Sequence, residues 1–167
     1  MTTSPIPPDY GTLTPYVSVR GASEFVDFMV AAFGAVERGR FALPDGRLGH
    51  AEVLIGDRVV MAFDAAPEWP DCIALLSLYV EDVDATFVSA LNAGAQEVTP
   101  LADDAFGNRG GRIRDPFGNV WWLASHVEDV TPDEMAARLA EPAYQQQMTT
   151  AMETFDAEMR SRRSRRG

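Results

Sequence analysis

Lysine is missing altogether from the 167 residues, and all 14 basic side chains are arginine. A Schiff-base lysine, a P-loop lysine and a lysine general base are thereby excluded. Cysteine is almost as scarce. With Cys72 alone, no intramolecular disulfide and no multi-thiolate zinc site can form; this fits a reducing cytoplasm, and the thiol is expected to be small and partly buried. No stretch approaches the ~20 apolar residues of a membrane span. Met1 to Asp9 holds three prolines and no apolar run, so neither export nor membrane insertion is expected. Positive charge is thin outside the C-terminus: Arg160, Arg162, Arg163, Arg165 and Arg166 crowd the last eight residues, leaving nine arginines against 25 acids, a net of −16. Such a body should repel nucleic acid and anionic membrane surfaces. What is present, 46% hydrophobic and 23% charged residues, suits a globular chain with a proper core.

Along the chain, Leu13 to Val19 is rich in β-branched and aromatic types and reads as a strand. Gly21 and Ser23 introduce an amphipathic run, Glu24 to Phe33, closed by Gly34. Strands follow at 36–42, 48–55 and 59–63, separated by Pro44-Asp45-Gly46 and Gly56-Asp57 turns. After a linker at 65–71 the same order is predicted again: strand 73–80, helix 83–92, then strands at 94–99, 111–115 and 120–125. Short words recur in order. Phe25-Val26 returns as Phe87-Val88, Gly34-Ala35 as Gly94-Ala95, Gly46-Arg47-Leu48 as Gly111-Arg112-Ile113, and Gly56-Asp57 as Gly118-Asn119. Asp103 and Asp104 with Gly107, Gly110 and Gly111 suggest a mobile flap or an ordinary exposed loop. Beyond residue 127, Thr131 and Glu134 have capping-box spacing for a short helix. A second helix is predicted from about Glu141 to Arg160, with Met148, Met152, Phe155 and Met159 as its packing stripe.

The doubled β-α-β-β-β order, the Tyr-Val-Glu-Asp-Val-Asp-Ala entry at 79–85 and the Arg-Asp-Pro-Phe-Gly-Asn turn at 114–119 resemble the vicinal oxygen chelate superfamily, which includes glyoxalase I, extradiol dioxygenases and bleomycin-resistance proteins. The resemblance implies an α+β fold: two tandem βαβββ modules whose curled, antiparallel-rich sheets surround a concave pocket, usually in a homodimer. The expected boundaries are a tail at 1–11, modules at 12–66 and 72–127, and a helical extension with an arginine-rich tail at 128–167. The linker allows the modules to pair within a chain or across a swapped dimer.

Strand alternation sorts the side chains into two faces. Pro15, Val17 and Val19 form an apolar set opposite Thr14, Tyr16 and Ser18; Ala51, Val53 and Ile55 lie opposite His50, Glu52 and Leu54; Leu76, Leu78 and Val80 lie opposite Leu75, Ser77 and Tyr79. Arg112 and Arg114 share a face, as do Trp122, Ala124 and His126, with Trp121 turned to the core. A half-solvated sheet shows the same alternation; the resemblance favours a pocket. Metalloenzymes of the superfamily place histidine or glutamate ligands at four strand positions, which fall here on Thr14, Met61, Leu75 and Trp122, to within about one residue. None is a usual ligand for a divalent metal. A displaced site at His50, Glu52 and His126 is the alternative; otherwise Glu52 is expected to pair with Arg112 or Arg114.

The expectation is therefore a metal-independent, cofactor-free binding protein for a small aromatic or natural-product-like molecule, dimeric and cytoplasmic, with a role in sequestration or resistance. Tyr16, Ser18, Met61, Phe63, Ser77, Tyr79, Arg112, Arg114, Trp122 and His126 would line the pocket. The enzymatic alternative is a lyase, isomerase or epimerase with Glu52 or His50 as general base.

Overall fold

The computed structural model describes residues 5–7 and 10–163. Two runs of strand, helix and three strands appear in succession: β1 (Tyr16–Val19), α1 (Ala22–Phe33), β2 (Val36–Ala42), β3 (Leu48–Ile55) and β4 (Arg58–Asp64), then β5 (Leu75–Tyr79), α2 (Val83–Asn92), β6 (Gln96–Asp103), β7 (Asn108–Arg114) and β8 (Val120–His126). Two helices follow, α3 (Pro132–Leu139) and α4 (Pro142–Arg163). Each run makes its own open four-stranded sheet, ordered β1-β4-β3-β2 and β5-β8-β7-β6. In each, one parallel pair, β1 with β4 or β5 with β8, accompanies two antiparallel hairpins. The fold is the α+β arrangement of two modules expected from the sequence.

The apolar faces meet in a shared core. Val17, Val19, Ala51, Val53, Ile55 and Ala62 of the first sheet are buried with Phe25, Val26 and Met29 of α1, and join Phe87 and Ala90 of α2 and Ile113, Trp121 and Leu123 of the second sheet. Trp121 is the core tryptophan, 2% exposed, with Phe33 at 4.7 Å and its Nε1 donating to Asp115. Both modules thus turn their helix-bearing sides into one interior; the opposite face of the first sheet is largely half-buried or exposed, whereas that of the second also holds buried Thr99, Val120 and Ala124. Burial of these aromatic and β-branched side chains is the main stabilising term.

Local chemistry explains the boundaries. Helix α1 starts two residues earlier than predicted, because Asp64 at the end of β4, rather than Ser23, accepts from the Gly21 and Ala22 amides while its other oxygen takes Leu48 N–H. The capping box at Thr131 and Glu134 forms as expected. Three expectations need correction. The turn residue equivalent to Gly46 (φ 86°) is Gly107 (φ 84°), and Gly111 lies inside β7. The supposed flap is therefore a tight β6–β7 turn, closed by Asp104 accepting from the Phe106 and Asn108 amides. Cys72 is exposed, since the linker around it runs over the surface, tied by Arg20 to Asp71 and to the Trp69 carbonyl.

Candidate functional site

On the open face of the first sheet, strand register sets Tyr16, Met61 and Glu52 side by side across β1, β4 and β3, with Ser18 and Phe63 adjacent. The Tyr16 ring lies 4.7 Å from Phe63 and 6.0 Å, edge-on, from His50. Glu52 is the polar centre. Its Oε1 accepts from the Tyr10 hydroxyl at 2.5 Å and from His50 Nε2 at 3.0 Å, which assigns the Nε2 proton because an ionised carboxylate only accepts. Arg38 Nε stands 3.9 Å from the other oxygen, with its guanidinium over the Tyr10 ring. The Tyr10 O–H first, and His50 second, hold the Glu52 carboxyl below the usual range; the same bond raises the Tyr10 phenol. Tyr10 and Arg38 were not among the expected site residues. Tyr10 fell in the segment read as a tail, and its only sequence signal was being a lone aromatic among prolines.

The expected pairing of Glu52 with Arg112 or Arg114 does not occur, because both arginines belong to the second sheet and are engaged by α4. There the register gives the rows Leu75–Val120–Arg114–Gln96 and Ser77–Trp122–Arg112–Thr99. Arg112 is held between rings, its Cζ 4.7 Å from the Trp122 centroid and 4.9 Å from that of Phe155, and it donates to the Ala151 carbonyl and Thr99 Oγ1. Burial pulls its guanidinium below the ordinary value. Arg114 bonds Glu158 and Gln96, and Thr99 bonds Thr154. The packing stripe of α4 is therefore Ala151, Thr154, Phe155, Glu158 and Arg162. Met148 and Met152 point outward, 40% and 68% exposed; a polar sheet face selects carbonyl, hydroxyl and carboxylate partners over thioethers. Gly110 leaves room for the neighbouring β8 strand and the Trp122 ring, since a Cβ there would come 2.8 Å from the Leu123 carbonyl oxygen and 3.0 Å from the indole.

The expected site residues thus fall into separate groups. Tyr16, Ser18, His50, Glu52, Met61 and Phe63 share the first face; Ser77, Tyr79, Arg112, Arg114 and Trp122 share the second. His126 sits apart at the end of β8, bonded to Asn108 and Asp129. A divalent metal does not fit these residues. His50 and Glu52 are already bonded to each other, His126 is on the other sheet, and the strand positions Met61, Leu75 and Trp122 bring a thioether, an isobutyl and an indole. Among the described residues, no three histidine, cysteine, aspartate or glutamate side chains gather as a metal site requires. Nor is any described helix long and apolar enough to cross a membrane.

A family model described as the Glyoxalase/Bleomycin resistance protein/Dioxygenase superfamily matches residues 13–123. Uncharacterised proteins of Mycobacterium bovis and Mycobacterium tuberculosis (strain H37Rv) are each 41% identical over 139 residues, covering 77% of this chain and 91% and 82% of theirs. Among solved structures, TioX from Micromonospora sp. ML1 is similar at a TM-score of 0.59 and 27% identity, over 70% of this chain and 99% of that one. The fosfomycin resistance protein FosX from Mesorhizobium loti has a TM-score of 0.55 at 18% identity, over 77% of this chain and 98% of its own, a likeness of fold.

Proposed function

Since the chain belongs to the Glyoxalase/Bleomycin resistance protein/Dioxygenase superfamily, we propose that it is a metal-independent binding protein for a small aromatic or natural-product-like molecule, acting in the cytoplasm as a homodimer. The observation that carries this reading is the open face of the first sheet, where the rings of Tyr16, Phe63 and His50 adjoin an ionised Glu52. Rings supply stacking area; the carboxylate and imidazole orient a ligand by charge-assisted hydrogen bonds. Tyr16, Leu75 and Tyr79 are 54%, 60% and 60% exposed on the two sheets, and a second copy covering them would turn open sheets into walled sites. Sequestration or resistance is the role such binding serves.

The test is titration calorimetry of chelator-treated full-length protein against aromatic amines, aromatic acids and fused-ring natural products. Saturable binding, unchanged by chelator and weakened at least about tenfold by Tyr16→Ala and Glu52→Gln, is the expected result. A requirement for added metal, or no binding across the panel, overturns it. The His50–Glu52 bond favours one second reading, a lyase, isomerase or epimerase in which His50 is the base and Glu52 steadies the imidazolium. A carboxylate held below its usual range is itself a poor base. Turnover of a panel compound, lost in His50→Asn, would establish this alternative.

A further inference from the structure

A cavity of about 410 Å³ lies at the seam between the modules, away from Tyr10 and Glu52. It opens where the end of β1, the linker, the α2–β6 turn, the β7–β8 turn and the end of α4 converge, and three of the chain's arginines, Arg20, Arg114 and Arg162, contribute to its lining. Val19, Ile73 and Phe117 provide apolar wall. The acids around it are already committed. Asp71 pairs with Arg20. Asp115 is 2% exposed, spends its oxygens on Phe117 N–H, Asn119 N–H, Asn119 Nδ2 and Trp121 Nε1, and is pushed above the usual range by burial. Glu158 serves two guanidiniums at once: Arg114 Nη1 at 3.1 Å and Arg162 Nε at 2.8 Å. Arg162 Nη2 lies 2.6 Å from the same carboxylate but out of line for a hydrogen bond, and no described acceptor takes its protons.

Arg114 and Arg162 are 18% and 14% exposed, so their surplus positive charge is poorly served by water. Guanidiniums present paired N–H groups that match the oxygens of a carboxylate or phosphate. We infer that the seam cavity is a binding site for a small amphiphilic anion, an apolar body carrying one carboxylate or phosphate monoester, with its head on Arg114 and Arg162 and its body against Ile73 and Phe117. The volume suits a single-ring compound. Because Arg162 also donates to the Gly118 carbonyl at 2.5 Å, the anion would seat the end of α4 and the β7–β8 turn together.

The experiment is a titration of ¹⁵N-labelled full-length protein with phenyl phosphate, benzoate and benzylamine, read at the amides of Ile73, Gly94, Gln96 and Phe117. Saturating shifts with one or both anions and none with benzylamine are expected, the two anions separating a phosphate from a carboxylate preference. Arg162→Gln, which leaves Arg114 and Glu158 as a balanced pair, should weaken binding about tenfold or more; Arg162→Lys, which keeps the charge but not the paired N–H groups, should recover only part of it. Arg20→Gln, which uncovers Asp71 without touching α4, should weaken it about threefold or more. Absence of saturating shifts at these four amides, equal shifts with benzylamine, or wild-type affinity in both glutamine variants overturns the inference. Shifts confined to Tyr10, Tyr16 and Glu52 would also overturn it while supporting the function proposed above.

Discussion

Glu52 shows how neighbouring donors set the state of a functional group. The 2.5 Å hydrogen bond from Tyr10 and the 3.0 Å bond from His50 keep its carboxyl ionised below the usual glutamate range. A depressed folded value means stability that is present above the unfolded titration and is lost as pH falls through the folded one. Tyr10→Phe should therefore lower unfolding free energy by about 1 kcal/mol at pH 7, with the difference from wild type shrinking as pH falls below the ordinary glutamate range. Urea melts at three pH values check this, and a difference constant with pH would refute it. Asp115 is the opposite case, a buried carboxyl accepting from four N–H groups in the β7–β8 turn and Trp121. Asp115→Ala strands those donors and should cost about 2–4 kcal/mol in the same melts; Asp115→Asn should be no gentler, because its amide nitrogen meets donors.

Among the elements, α4 is held by polar contacts to the second sheet, and Glu158 is their hub, shared by Arg114 and Arg162. Glu158→Ala leaves both guanidiniums without the carboxylate. Amide hydrogen exchange over residues 151–162 should quicken about tenfold, while α1 and the sheet cores stay protected. Unchanged exchange would mean that Phe155 and Ala151 alone hold the helix. The sequence made most element positions legible: α2 and the Thr131 cap are local events, written in periodicity and capping residues a few positions apart. Strand faces were legible for the same reason, since alternation sorts Val17 from Tyr16 and Trp121 from Trp122 without tertiary knowledge. What each face meets was not. Tyr10 reaches Glu52 across 42 residues and Arg112 reaches the Ala151 carbonyl across 39, contacts that no local pattern encodes. The methionine stripe of α4 misled because apolar spacing says nothing about a polar docking face.

For the molecule as a whole, the two modules share one interior and leave uncovered the Tyr16 face of the first sheet and the Leu75–Tyr79 edge of the second, beside the part of that face on which α4 docks. Light scattering after gel filtration should give twice the 18.3 kDa chain mass, and the pair Leu75→Glu and Tyr79→Glu should return a folded monomer. Wild-type protein running as a monomer removes the proposed dimer. Added zinc, nickel or manganese should move the melting temperature by less than about 2 °C, since the described residues gather no donor cluster through which a cation would stabilise the fold. The one thiol of the chain stands exposed in the linker beside the seam cavity. A maleimide dye will therefore attach at a single known place without any engineering, and its emission becomes a built-in gauge of whatever enters between the two halves.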